Sequence, residues 1–254
     1  MNKAIILNTL KEKLSKKHIL IVTILFAVLL FFFSAENSSI SIGGKQLTDI
    51  DMLLPYFLLT GTFICALTAI FASANSIPIE YERKNSYLIW PRGISQSNYH
   101  ISVSLGSAAF SAIITIVFYL TYIIFILLKG GDMSLLGTVP ISFLLTLSLI
   151  FPLSFITSAL SVKLGFVTSS VIISALFVCG MFKGIFVMLL SAMQGTTSEV
   201  LKHALKVIPN FYDISAQASN FAQSMKFDLH ILLGALLLMY FGLILLYVLK
   251  RKEA

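Results

Sequence analysis

The sequence predicts an all-α polytopic membrane protein with six transmembrane helices, and three observations carry that expectation. Mean hydropathy is +0.94, and 57% of the 254 residues are hydrophobic. Only 11% are charged, less than half of the roughly 25% typical of soluble globular chains. The apolar residues also gather into runs near or beyond the about 18 residues that read as a membrane span. The whole of 1–254 reads as one transmembrane domain.

Residues 1–18 are basic, with Lys3, Lys11, Lys13, Lys16 and Lys17. Ile5, Ile6, Leu7, Leu10 and Leu14 recur at helical spacing, so the segment reads as an amphipathic helix on the inner leaflet or as a plain basic flank. Its start is like a secretory signal, but the polar part is long. "FFFSAENSS" also lacks an A-x-A cleavage pattern, so the first apolar run is read as retained. Span 1 covers 19–35, about 26 Å of helix. Span 2 lies within 52–79, span 3 within 101–128 and span 4 within 133–162. Span 5 runs from 164 to about 190 and span 6 from 230 to 249.

Pro152, inside span 4, is expected to kink it by removing a backbone hydrogen bond. Gly180 and Gly184 form a G-x-x-x-G pair that permits close helix packing. Lys183, the one charge well inside a run, either lines a polar pathway or snorkels outward. The long segment 191–229 reads as two short external helices. A capping box, Thr196-x-x-Glu199, opens the first and Pro209 ends it. Asp213 caps the second, whose apolar positions are Ile214, Ala218, Phe221, Ala222 and Met225. These helices dip into the outer leaflet, roof a cavity or rest on lipid headgroups.

Six spans put both termini on one side. With that side cytoplasmic, the inside holds Lys3, Lys11, Lys13, Lys16, Lys17, Arg83, Lys84, Arg92, Lys163, Lys250, Arg251 and Lys252, 12 of the 18 Lys and Arg residues. That asymmetry obeys the positive-inside rule. The net charge of +7 is therefore topological and calls for no nucleic-acid partner, and the expected location is the cell membrane.

The spans carry little chemistry. They hold no Asp or Glu, and the chain has no H-E-x-x-H or G-x-S-x-G motif. His18, His100 and His230 lie near span ends and His203 in the outer segment, as interfacial polar residues rather than metal ligands. Cys65 and Cys179 stand alone in apolar runs and read as small buried residues. "GGKQLT", 43–48, fails as a phosphate loop because Gln46 follows the Lys where Ser or Thr belongs. No catalytic residue, metal site or bound cofactor is expected. Any ATP-driven function needs its motor on another chain.

The connection between spans 2 and 3, about 80–100, gathers Glu80, Glu82, Arg83, Lys84 and Arg92. It reads as a basic solvated loop, or as a short helix that docks on a cytoplasmic partner. In the second case Glu80, Glu82, Arg83 and Lys84 form a charged rim. Tyr87, Leu88, Ile89 and Trp90 form an anchor of the kind enriched at interface hot spots. Pro91 ends the helix and Gly93 allows the turn into span 3.

On these residues the chain resembles a permease subunit of the ABC-2 type of ATP-binding-cassette exporters. "EYERKNSYLIWP", 80–91, matches the E-x-E-R-x-x-[small]-x-L-x-x-P-like stretch that follows the second span in that family. The amphipathic start, the six-span pattern and the paired external helices match as well. Asn85-Ser86 departs from the family's frequent Gly-Thr, and His100 stands where Lys is common. The resemblance implies two permease chains, identical or paired with a sister chain, on two cytoplasmic ATPase chains that bind ATP and Mg. Glu80, Glu82, Arg83, Lys84, Tyr87, Leu88, Trp90, Pro91 and Arg92 would couple the two. An amphipathic or hydrophobic substrate (lipid, drug or antimicrobial peptide) would move outward through a permease without enzymatic activity. The alternative is a non-transporting membrane scaffold or sensor that recruits a cytoplasmic partner through 80–92.

Overall fold

An apolar run inside a bilayer must satisfy its own backbone hydrogen bonds, and the helix is the structure that does so within one segment. The computed structural model follows that rule. It describes residues 2–15, 17–34, 41–42, 45–46, 49–83, 93–192 and 196–250. In chain order these form α1 (Lys3–Ser15), α2 (His18–Ser34), α3 (Ile50–Ala74), α4 (Ser76–Glu82), α5 (Gln96–Leu128), α6 (Met133–Met181), α7 (Lys183–Ala192), α8 (Thr196–Val207), α9 (Phe211–Ser224) and α10 (Leu229–Val248). A two-residue antiparallel ladder, Ser41–Ile42 on Lys45–Gln46, lies between α2 and α3. Four helical stretches are long and apolar enough to cross a membrane: 50–82, 96–128, 133–181 and 229–248. Counting α1 and α2, bent by 59°, as one broken span gives five, against the six expected.

α6 accounts for part of the difference. Its 49 residues would extend about 74 Å as a straight helix, against a hydrocarbon core of about 30 Å. It is not straight. Gly165 has φ 75° and ψ −179°, a conformation essentially confined to glycine. Side chains on either side of that break reach the same helix. Ser142 Oγ donates to the Ala218 carbonyl of α9 at 3.1 Å, and Ser215 Oγ of α9 donates to Met181 Sδ at 3.5 Å. Ser142 and Met181 would stand roughly 58 Å apart on an unbroken helix, yet Ala218 and Ser215 are less than a turn apart. The two limbs of α6 therefore run side by side in opposite directions.

The sharp break in α6 lies at Gly165 rather than at Pro152. Backbone angles stay helical through Pro140 and Pro152, and Gly165 is the one non-helical position inside α6. A proline removes one donor but keeps φ in the helical range, whereas only the glycine reverses the chain.

Large aromatic side chains fill the core where α2, α3 and α5 meet. Phe57 stacks on Phe125 with centroids 4.3 Å apart, and Phe118 lies 5.3 Å from Phe26. Gly61 makes room for this cluster, since a Cβ there would lie 1.8 Å from the Phe118 ring. Small hydroxyl residues, among them Ser73, Ser107, Ser111 and Ser158, are buried where α3, α5 and α6 approach. Ser73 Oγ pairs with Ser107 Oγ at 3.1 Å, and Ser111 Oγ donates back to the Ser107 carbonyl at 3.1 Å. Small and hydroxyl side chains let helix backbones come close in lipid while their polar atoms stay bonded.

The 191–229 segment forms two helices as the sequence predicts, with one change of cap. Asn210, not Asp213, is the N-cap of α9, accepting from the Asp213 N–H at 3.4 Å. Asp213 sits in the first turn and takes Asn210 Nδ2 at 2.6 Å. Ile214, Ala218, Phe221 and Ala222 face inward as expected, while Met225 is 63% exposed at the left-handed C-cap. α8 starts at Thr196 and ends before Pro209; the Thr196 side chain lies outside the described residues. Lys183 finds a partner within the protein: its Nζ donates to the Ile208 carbonyl at 2.7 Å. That carbonyl follows the last residue of α8, where a cation complements the negative end of the helix. The Gly180/Gly184 pair also divides. A Cβ on Gly180 would meet the Pro209 carbonyl at 2.6 Å, but one on Gly184 would meet nothing within 4 Å.

Candidate functional site

The N-terminal residues, α4, the start of α5 and the end of α10 come together at one end of the bundle. There the described part of the 80–92 stretch is held. α4 continues α3 after a break at Asn75, which has the backbone angles of a turn and leaves α4 seven residues long. α5 begins at Gln96 with Ser95 as its cap, accepting from the Asn98 N–H at 3.4 Å. Between them, Glu80, Glu82 and Arg83 are described, whereas Lys84, Tyr87, Leu88, Trp90, Pro91 and Arg92 lie outside the described residues.

The three described residues have different surroundings. Glu80 is 5% exposed, and Tyr99 Oη donates to its Oε2 at 2.7 Å. The sequence reading put Glu80 on an exposed rim; here it faces the start of α5 instead. α4 turns Glu80 toward α5 along with Ile77, which is fully buried. Glu82 is exposed. Arg83 Nη1 donates to Glu12 Oε1 at 2.6 Å, with side-chain exposures of 47% and 24%. This pair ties α4 to α1.

More polar contacts close the same junction. Tyr81 Oη accepts from Gln96 Nε2 at 2.8 Å and pairs with His100 Nε2 at 2.8 Å. Lys13 Nζ donates to the Ala72 carbonyl in the last turn of α3 at 2.7 Å, again a cation at the negative end of a helix. The Asn2 N–H donates to Ser102 Oγ at 3.1 Å, and Ser97 Oγ donates to the Tyr247 carbonyl of α10 at 2.7 Å. α1 approaches α5 at Gly106, where an added Cβ would lie 2.8 Å from the Ile6 carbonyl and 2.7 Å from Thr9 Cβ.

α1 is thus seated on protein on one side. Thr9 is buried and Ile5, Ile6 and Leu10 are partly so, while Leu7 is 55% exposed. The expected apolar face is split between α5 and the surroundings. His100, expected at an interface, is fully buried against Tyr81.

No family model and no curated protein matches this chain. The site is therefore read from its own geometry. Its polar atoms bond one another across elements, and among the described residues no three His, Cys, Asp or Glu side chains are placed to hold a metal ion. Such an arrangement can fix helices to one another and carry displacement between them.

Sequence reasoning singled out the charges of 80–84 but missed Glu12 and Tyr99 as partners of Arg83 and Glu80, and Gln96 and His100 as partners of Tyr81. A signal was present. "QSNYHIS", 96–102, is a polar cluster at the start of an otherwise apolar run, and a polar group entering an apolar bundle needs a partner.

Proposed function

We propose that this chain is the membrane-spanning permease subunit of an ABC-2 type exporter. It crosses the membrane six times, with α2, α3, α5, the two limbs of α6, and α10 as the crossings and both termini in the cytoplasm. It moves an amphipathic or hydrophobic substrate outward without enzymatic activity of its own. A separate ATPase chain, two copies facing two permease chains, binds ATP and Mg and supplies the power. Residues 84–92 dock on that ATPase, with Glu82 and Arg83 at the edge of the contact and Glu80 fixing the loop to the bundle.

The observation that carries this reading is the junction beside the 84–92 segment. α1, α3, α4, α5 and α10 are tied there by Glu12–Arg83, Lys13–Ala72, Glu80–Tyr99 and Ser97–Tyr247. A force applied to a loop so anchored moves several helices together. A loop that only satisfied the charge rule would need no such attachment.

The test is affinity purification of the tagged chain from its native membrane in mild detergent, with mass spectrometry of bound chains and crosslinking from Ile89. A near-stoichiometric soluble chain with a phosphate-loop motif is expected. In the Trp90→Ala variant the protein stays folded and the ATPase is lost or transport is uncoupled. Absence of any ATPase after crosslinking would leave the loop as a docking site for another cytoplasmic protein, and the transporter reading would fall.

A further inference from the structure

Between α3, α7 and the turn into α9 lies a cavity of about 610 Å³, within the range of small-molecule sites. Leu59 and Phe63 of α3, with Phe182 and Ile185 beside the start of α7, make its apolar wall. Asn210, Tyr212 and Asp213 line its polar end. The cavity exists because Phe182 interrupts the helix between α6 and α7 and because Gly184 contributes no side chain where nothing stands within 4 Å.

Among the described residues that line the cavity, Asp213 is the one with a charged side chain. Asp213 Oδ2 accepts from Asn210 Nδ2 at 2.6 Å, and among the described residues Asp213 makes no ion pair. Lys183 adjoins the wall in sequence, but its ammonium is directed to the Ile208 carbonyl at 2.7 Å, and among the described residues no basic side chain lines the cavity. Asp213 also complements the N-terminus of α9, which accounts for a carboxylate there without removing its negative charge from the cavity. A carboxylate beside apolar walls favours a cation whose remaining surface is apolar, and an aromatic face such as Tyr212 adds to that preference. An anion of the same shape is rejected by charge.

We propose that this cavity binds a hydrophobic organic monocation, with its charge near Asp213 and its apolar bulk against α3 and α7. This assignment goes beyond ATP-driven transport and does not depend on it, so its measurement contains no ATPase.

The experiment is equilibrium binding of radiolabelled tetraphenylphosphonium to the full chain in nanodiscs of zwitterionic lipid, with empty nanodiscs as background. Tetraphenylborate, of the same shape and opposite charge, serves as competitor. The wild-type chain is expected to show saturable binding that tetraphenylborate does not displace by occupying the site. Asp213→Asn keeps the volume of the side chain and an oxygen for Asn210, and should weaken binding about tenfold or more. Gly184→Phe fills the cavity from a position with open space and should abolish binding while the protein remains monodisperse. No saturable binding above background, equal affinity in Asp213→Asn, or retained binding in Gly184→Phe would each overturn the proposal. So would an Ile185→Cys variant that forms a disulfide-linked dimer and blocks the ligand, because the cavity would then be covered by a second copy of the chain.

Discussion

Glu12 and Glu80 each take a partner at the same junction, and burial separates the consequences. The Arg83–Glu12 pair is partly exposed, so Arg83→Gln should lower stability by no more than about 1 kcal/mol. The Tyr99 hydroxyl meets Glu80 in a buried setting. Tyr99→Phe removes one charge-assisted hydrogen bond from that carboxylate and should cost about 1.5–3 kcal/mol. Thermal unfolding of both variants in one detergent compares them directly; a larger effect at Arg83 would contradict the described burial. Glycines give a second contrast. Gly61→Ala drives a methyl into the Phe118 ring and should cost at least about 1–3 kcal/mol. Gly137→Ala, where a Cβ meets nothing within 4 Å, should be neutral or stabilising by up to about 1 kcal/mol through helix propensity. Equal losses at the two sites would mean that the Phe118 packing is misplaced.

At the scale of elements, the break in α6 falls next to the expected boundary between spans 4 and 5, and Gly165 is the residue that makes it. Gly165→Ala places a methyl on a backbone of φ 75° and should cost about 1–3 kcal/mol, whereas Pro152→Ala leaves the course of the chain unchanged. Protease resistance of the two variants in detergent separates them, and a Pro152 effect exceeding that of Gly165 would restore the proline as the bend. Hydropathy located the helices well because it reads the dominant requirement of a lipid-buried segment. α2, α5 and α10 each begin or end within a few residues of spans 1, 3 and 6. It also divided 133–181 close to the reversal, ending span 4 at 162 and starting span 5 at 164 around Lys163, although nothing in the hydropathy singled out Gly165 as the residue that turns. It could not place Glu80, because the motif around it records residue types and the buried contact depends on Tyr99, nineteen residues away. The cap of α9 was missed by three positions for a similar reason: Asn210 and Asp213 are both good caps, and their mutual hydrogen bond decides which one leads.

For the whole molecule, the number of crossings is the property most open to direct measurement. Reporter proteins fused to the two ends should fall on the same side of the membrane if the chain crosses six times. An epitope inserted at Gly165 should share that side. Five crossings, with α6 as a single span, would put the ends on opposite sides and the insertion inside the bilayer. Lys3, Lys11, Lys13, Lys17, Arg83, Lys163 and Lys250 belong to the end that carries α1 and the Gly165 turn, while Asp51, Asp213 and Asp228 belong to the end that carries α9.

The seat of α1 has a consequence for the order in which the protein is made. Asn2 bonds to Ser102, one hundred residues later in the chain. At a synthesis rate of about 5–20 residues per second, the helix emerges roughly 5–20 s before the surface it will rest on. During that interval its partly apolar face lacks its seat on α5, while Lys13 and Glu12 gain their partners Ala72 and Arg83 earlier in synthesis. α1 is therefore seated in stages, first on α3 and α4 and last on the start of α5.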